Sequence, residues 1–143
     1  MLSGGQRGTS IVAQAAAVAS AKVLIIEDDP DIGGLLGLRL RKAGYNTAFA
    51  GDAVTALTIA RKEQPDLIVL DLGLPGGDGM LVMERLKGLA TLAHVPVIIV
   101  SARDPASSGP QTLAAGARAF VAKPIQMDSF MAAVRAALGE SSY

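Results

Sequence analysis

The sequence has no cysteine and no tryptophan, and one histidine, His94, among 143 residues. Without thiols there is no disulfide, no zinc–thiolate centre and no cysteine nucleophile. One imidazole leaves multi-histidine metal sites and most serine–histidine chemistry without their parts. Neither sign of charge is in surplus, because thirteen Lys and Arg balance thirteen Asp and Glu. Binding to a phosphate backbone needs a basic face, so the chain is not expected to bind nucleic acid by itself. No apolar run approaches the roughly 18 residues that span a bilayer, so no membrane association is expected. The lack of cysteine suits a reducing, cytoplasmic location. Any chemistry must come from carboxylates, lysine, hydroxyls or backbone.

What is present suffices to fold. Hydrophobic residues make up 50% of the chain and charged residues 18%, and the length fits one core. Residues 1–21 differ from the rest, polar and glycine-rich at first and then mostly alanine. Leu2–Gln6 reads LSGGQ, which resembles the signature of ABC transporter ATPases, but that motif needs a partner GxxxxGK[ST] loop that the sequence lacks. Arg7, a short apolar stretch and Ala19-Ser20-Ala21 sketch a secretory signal, interrupted by Gln14. The reading adopted is a flexible leader over 1–21, a domain over 22–139 and a short tail over 140–143.

From Lys22 onward two kinds of segment alternate. Apolar, β-prone runs occur at Val23–Ile26, Asn46–Ala50, Leu67–Leu70, Val97–Val100 and Ala119–Ala122. Helical spacing follows each, over about 30–43, 53–63, 79–88, 110–115 and 127–138. Strict alternation implies parallel strands with crossover helices, hence an α/β doubly wound (βα)5 sandwich with a five-stranded parallel sheet. The first, third and fourth runs are almost wholly apolar, as strands covered on both faces should be. The second is mixed and reads as an edge. Asp29-Pro30 and Asp52 supply helix starts, and Gly44 a left-handed stop. Gly33, Gly34 and Gly37 in the first helix are read as close packing on the sheet, and His94 as a solvated loop residue.

In such a sheet ligands bind beyond the carboxyl ends of the strands. The first strand ends in Glu27-Asp28-Asp29, the third in Asp71, the fourth in Ser101 and the fifth in Lys123-Pro124. Three acids, a hydroxyl and an ammonium thus converge on one rim. Carboxylates held close together repel, which raises at least one pKa unless a cation sits among them. A few oxygen ligands suit Mg2+. A carboxylate beside Mg2+ and a lysine is placed to attack phosphorus and form an acyl phosphate. Helix capping accounts for Asp29 and Asp52 but not for Asp71 and Lys123.

At these residues the chain resembles the receiver domain of bacterial two-component response regulators, of the stand-alone chemotaxis-receiver-like type. The matching stretches are VLIIEDD (23–29), DLIVLDLGLPGGDG (66–79), VPVIIVSAR (95–103) and AGARAFVAKPI (115–125). The resemblance implies a flavodoxin-like strand order 2-1-3-4-5 and a phosphorylation-controlled signalling switch, not an enzyme. It implies Asp71 as phosphoacceptor, Asp28 as a direct Mg2+ ligand, Glu27 acting through water, and the Gly73 carbonyl as a further ligand. Ser101 becomes the switch hydroxyl, Lys123 the partner of the phosphoryl group, with a cis bond to Pro124, and Phe120 the aromatic switch. The donor would be a sensor histidine kinase or histidine phosphotransfer protein docking near the first helix. The output would be a protein target bound through the helix 4–strand 5–helix 5 face.

The fourth helix departs from the family. Pro105, Gly109 and Pro110 predict a helix that starts at Pro110 and runs barely more than one turn after a mobile loop. Arg118-Ala119 stands where DNA-binding regulators often have an acidic pair, which argues against their charge-paired dimer. Gly73 and Arg103 flank the site where they would touch attacking water, with no direction of effect assigned. The competing readings are a pseudo-receiver scaffold and a Mg2+-dependent phosphatase of haloacid-dehalogenase type. The latter would use Asp29-x-Asp31, which Pro30 turns into a helix start.

Overall fold

The structure, a computed structural model, describes residues 20–75 and 78–140. Five strands alternate with five helices: β1 (Lys22–Ile26), α1 (Pro30–Lys42), β2 (Asn46–Ala50), α2 (Ala53–Glu63), β3 (Leu67–Asp71), α3 (Gly79–Lys87), β4 (Val97–Ser101), α4 (Pro105–Ala114), β5 (Ala119–Ala122) and α5 (Met127–Ala137). The strands form one parallel sheet in the order β2-β1-β3-β4-β5. This is the flavodoxin-like order that the resemblance implies. The expected leader (1–21) and tail (140–143) lie outside the described residues, apart from Ser20, Ala21 and Glu140.

Alternation along the strands divides the core in two. Leu24, Ile26, Ile68, Leu70 and Ile99 face α2 and α3, meeting Ala56, Ala60, Met83 and Leu86. Val23, Ile25, Leu67, Val69 and Ile98 face α1 and α5, meeting Leu36, Leu40, Phe130, Met131 and Val134. Because successive side chains point to opposite faces, a central strand must be apolar throughout. β3 and β4 are accordingly buried at every position, whereas β2, the edge, is buried only at Ala50. No helix among the described residues is long and apolar enough to cross a membrane.

Helix ends follow the local chemistry. Asp29 Oδ1 accepts the N–H groups of Asp31 (2.9 Å) and Ile32 (3.4 Å), with Pro30 at the first helical position of α1. Gly44 takes the left-handed conformation (φ 97°) after that helix. Gly37 lets Phe49 and Arg41 lie close over the helix, since a Cβ there would stand 2.6 Å from Cζ of Phe49 and 2.9 Å from Nη1 of Arg41 and both side chains would have to shift. Gly34 does not share that reason: it is exposed and a Cβ would meet nothing. At 100° per residue the sheet-facing positions of α1 are 33, 36, 37 and 40, and 34 points to water. His94 is exposed, as expected for a loop residue.

The fourth helix corrects the sequence reading. It starts at Pro105, not Pro110, and runs ten residues with Pro110 inside it. Asp104 caps it by accepting the N–H of Ala106 at 3.1 Å, and Pro105 occupies the first turn, where no N–H is needed. Pro110 deprives the Ala106 carbonyl of its partner four residues on, but Ala106 and Pro110 are both exposed, so water can take that place. The helix is held instead by its other face, through Ser108, Gly109 and Thr112. Pro110→Ala should therefore restore one hydrogen bond and raise stability by about 1–2 kcal/mol. Urea unfolding followed by far-ultraviolet circular dichroism would measure this, and an unchanged or lower midpoint would refute it.

Candidate functional site

The carboxyl ends of β1, β3, β4 and β5 bring together residues drawn from widely separated parts of the chain. Asp71, the last residue of β3, is buried, and its position is fixed by pairing of β3 with β4 (Asp71 beside Val100). Asp71 Oδ1 accepts the N–H of Gly73 at 3.0 Å, and Oδ2 lies 3.4 Å from Lys123 Nζ. Lys123 follows β5 and is joined to Pro124 by a cis peptide bond. Its ammonium also donates to Glu27 Oε1 at 2.9 Å. Glu27 accepts a second, longer bond from the Asp29 N–H at 3.3 Å. Ser101, 1% exposed, accepts the Arg103 N–H on its Oγ at 3.0 Å, leaving its own proton free to be donated.

Carboxylate oxygens of Glu27, Asp28 and Asp71 all lie within 4.8 Å of one another, Asp28 being the exposed member. Two buried carboxylates share one ammonium, and the imbalance shows at Glu27. Burial pushes Glu27 up from 4.5 to about 7, the Lys123 hydrogen bond opposes this, and Asp71 adds to it. Lys123 is depressed by its own burial, but the Glu27 hydrogen bond and the charges of Asp71 and Glu27 outweigh that and hold it above its ordinary value. The site carries more negative charge than its lysine neutralises. Three hard oxygen donors at this separation, with surplus negative charge, fit a small divalent cation of the Mg2+ type.

Beside these carboxylates opens a cavity of about 390 Å3 lined by Asp71, Gly73, Ser101, Ala102, Arg103 and Lys123. Asp71, Gly73, Ser101 and Lys123 thus share one space, and Glu27 and Asp28 adjoin it through Asp71. Gly73 reaches Asp71 through its N–H; the expectation of its carbonyl as a ligand is separate from that contact. Phe120 is half-buried on the face of α2 and α3, with its ring 4.0 Å from where a Cβ of Gly109 would stand. The order of elements places it two residues before Ala122, the β-partner of Ser101.

Two contacts escaped the sequence reading. The direct Glu27–Lys123 bond joins positions 96 apart, and nothing local announces it. Arg103 Nη2 lies 3.5 Å from Asp78 Oδ1, and Asp78 caps α3 by accepting the Met80 N–H at 2.9 Å. The cap was legible, since an aspartate before a run of helical apolar spacing is a helix start; its ion pair was not.

The response regulator receiver domain family is matched over residues 23–135. The chain is 42% identical over 116 residues to the transcriptional regulatory protein KdpE of Mycobacterium tuberculosis, covering 81% of this chain and 50% of that protein. It therefore spans about half the length of that relative. Among solved structures, the receiver domain of the Francisella response regulator 1452 superposes with a TM-score of 0.78 at 28% identity, over 84% of this chain and 98% of that one. The receiver domain of the sensor histidine kinase PA1611 of Pseudomonas aeruginosa, solved with a magnesium ion in its active-site cleft, superposes with a TM-score of 0.75 at 25% identity, over 85% and 99%. With the family matched over most of its length and the strand order in place, the chain belongs to the response regulator receiver domains.

Proposed function

We propose that Asp71 accepts a phosphoryl group from a phosphohistidine of a sensor kinase or histidine phosphotransfer protein, and that the product alters binding of a downstream protein. Receiver domains are signalling switches, and the reading given to this chain is that of a switch. The observation that carries the reading is the setting of Asp71: a buried carboxylate, one oxygen held by the Gly73 N–H and the other facing Lys123, in a cavity shared with the Ser101 hydroxyl. The Gly73 bond orients the carboxylate so that Oδ2 meets the incoming phosphorus. The new P–O bond forms as the phosphorus–nitrogen bond of the donor breaks, and the departing imidazole takes up a proton from solvent. Lys123 and the Ser101 hydroxyl are placed to receive charge on the transferring oxygens.

Glu27, Asp28 and Asp71 are the residues that would hold Mg2+, with the Gly73 carbonyl as a further ligand. When bound, the ion would neutralise phosphoryl charge and offset repulsion among the three acids. Asp28 alone of the three is exposed and makes no contact with Lys123, which suits it to direct ligation. Glu27 keeps the ammonium in place and suits a ligand acting through water.

Phosphorylation adds charge that draws Ser101 and Lys123 inward. Ser101 sits beside Ala122 in the sheet, and Phe120 lies two residues up the same strand. A shift of Ser101 is therefore felt at Phe120, which packs beside Gly109 of α4. The face of α4, β5 and α5 changes population and with it partner affinity. The haloacid-dehalogenase reading is disfavoured because Asp29, the nucleophile it would need, caps α1 and stands outside the group formed by Glu27, Asp28 and Asp71.

Intact-mass measurement after incubation with acetyl phosphate and Mg2+ tests this. One added phosphoryl group is expected, absent with EDTA and absent in Asp71→Asn. A folded protein that gains no phosphoryl group from acetyl phosphate or from any phosphohistidine donor would be a scaffold instead.

A further inference from the structure

Arg103 and Asp78 stand on the loops that leave β4 and β3, and their side chains meet at 3.5 Å with about half of each exposed. The pair lies at the rim of the phosphoacceptor cavity, because Arg103 lines that cavity together with Asp71, Gly73, Ser101 and Lys123. The Arg103 backbone is pinned by its N–H bond to Ser101 Oγ, so the residue stays at the rim while its long stem can redirect the guanidinium. Asp78 does not depend on the arginine. The same Oδ1 already accepts the Met80 N–H and lies at the N-terminus of α3, where a carboxylate is favoured on its own. An ion pair this exposed is weak and easily displaced.

We infer that Arg103 exchanges partners: it rests on Asp78 while Asp71 is free and turns to the phosphoryl oxygens once Asp71 is modified. The inference rests on the proposed phosphorylation of Asp71. Before transfer the cavity side of Asp71 offers one negative charge, and Lys123 already faces it. After transfer it offers nearly two, spread over three acceptor oxygens. A guanidinium can fork onto two of those oxygens, which a single 3.5 Å contact with Asp78 does not match. In that position Arg103 covers the phosphorus from the cavity mouth and hinders attacking water. Asp78 touches none of the reacting atoms and is a positioning residue: by competing for Arg103 it sets the lifetime of the acyl phosphate.

The test is a titration of the full chain with beryllofluoride in the presence of Mg2+, on wild type, Asp78→Asn, Arg103→Gln and the double variant. Asparagine caps helices as aspartate does, so α3 keeps its start. Asp78→Asn should tighten binding about fivefold and Arg103→Gln weaken it about fivefold, both typical of a single coupled contact. Adding Asp78→Asn to Arg103→Gln should change nothing further. Half-lives of the phosphorylated protein, followed by intact mass, should lengthen in Asp78→Asn and shorten in Arg103→Gln by similar factors. If wild type binds beryllofluoride and Asp78→Asn acts equally with and without Arg103, or not at all, the exchange is wrong while the phosphoacceptor stands. If wild type binds no beryllofluoride and gains no phosphoryl group, the phosphoacceptor assignment falls and the exchange with it.

Discussion

Stripped of divalent cations, the protein should be most stable near pH 5 and should lose about 2–3 kcal/mol by pH 8. The cause is Glu27, whose carboxyl stands at about 7 in the fold against 4.5 in a solvated chain, pushed up by burial and by Asp71 against the opposing hydrogen bond of Lys123. Between those two values the folded protein holds a proton that the unfolded chain has released. The contribution is therefore complete below about 4.5 and disappears as pH rises through about 7. The gap corresponds to roughly 3 kcal/mol at most. Acid opposes the trend through residues such as Asp52. The Thr55 N–H and hydroxyl hold its carboxyl below the usual range, so its contribution is lost as pH falls. Urea unfolding in EDTA at pH 5, 6, 7 and 8 would show the decline. Glu27→Gln should flatten it, because the amide can still accept from Lys123 but carries no titrating charge. Mg2+ should stabilise strongly at pH 8 and little at pH 5, since the proton and the cation compete for one charge. A flat profile in the native chain, or a slope that survives in Glu27→Gln, would remove Glu27 as the cause.

That profile depends on the burial of Glu27 and on its neighbours, which the sequence could not display, and the contrast shows where sequence reading stops. The strand–helix alternation, the apolar β3 and β4 and the mixed edge β2 were legible because burial on two faces dictates composition residue by residue. Parallel topology then gathered Glu27, Asp28, Asp71, Ser101 and Lys123 at one rim with no knowledge of distances. What was not legible was pairing within the rim. The ammonium of Lys123 meets both Glu27 and Asp71, and only coordinates tell which acid is the nearer. The fourth helix failed for another reason. In sequence a proline reads as a barrier, whereas its effect depends on whether the carbonyl it orphans can reach water, and Ala106 is exposed. Asp104-Pro105 was the stronger start signal, being the same pair that opens α1 at Asp29-Pro30.

Alanine at Gly79 should destabilise the fold by about 3 kcal/mol or more and abolish phosphorylation of Asp71. The sequence places Gly79 at the end of a matching stretch and at the start of a helix, but gives no reason why that position must be glycine. In the structure a Cβ there would lie 2.5 Å from Leu72 Cα, 2.7 Å from the Asp71 carbonyl oxygen and 2.9 Å from the Leu72 carbonyl oxygen. All three are backbone atoms, so no rotamer change relieves the overlap. Nor can β3 yield, since it is hydrogen-bonded to β1 and β4 on its two sides and Leu72 is 1% exposed. The start of α3 must move instead, breaking the 3.0 Å bond from the Gly79 N–H to the Leu72 carbonyl. The same displacement pulls on the Asp71–Gly73 turn that orients the phosphoacceptor. Gly88→Ala is the control at the other end of the helix. Its φ of −82° suits any residue and its Cβ would come no nearer than 3.5 Å to the Arg85 carbonyl, so stability should be unchanged or slightly higher. Urea midpoints and phosphoryl mass adducts measured on both variants separate the two cases. If Gly79→Ala unfolds with the wild type and still takes up a phosphoryl group, then the close approach of α3 to β3 is not what positions Asp71.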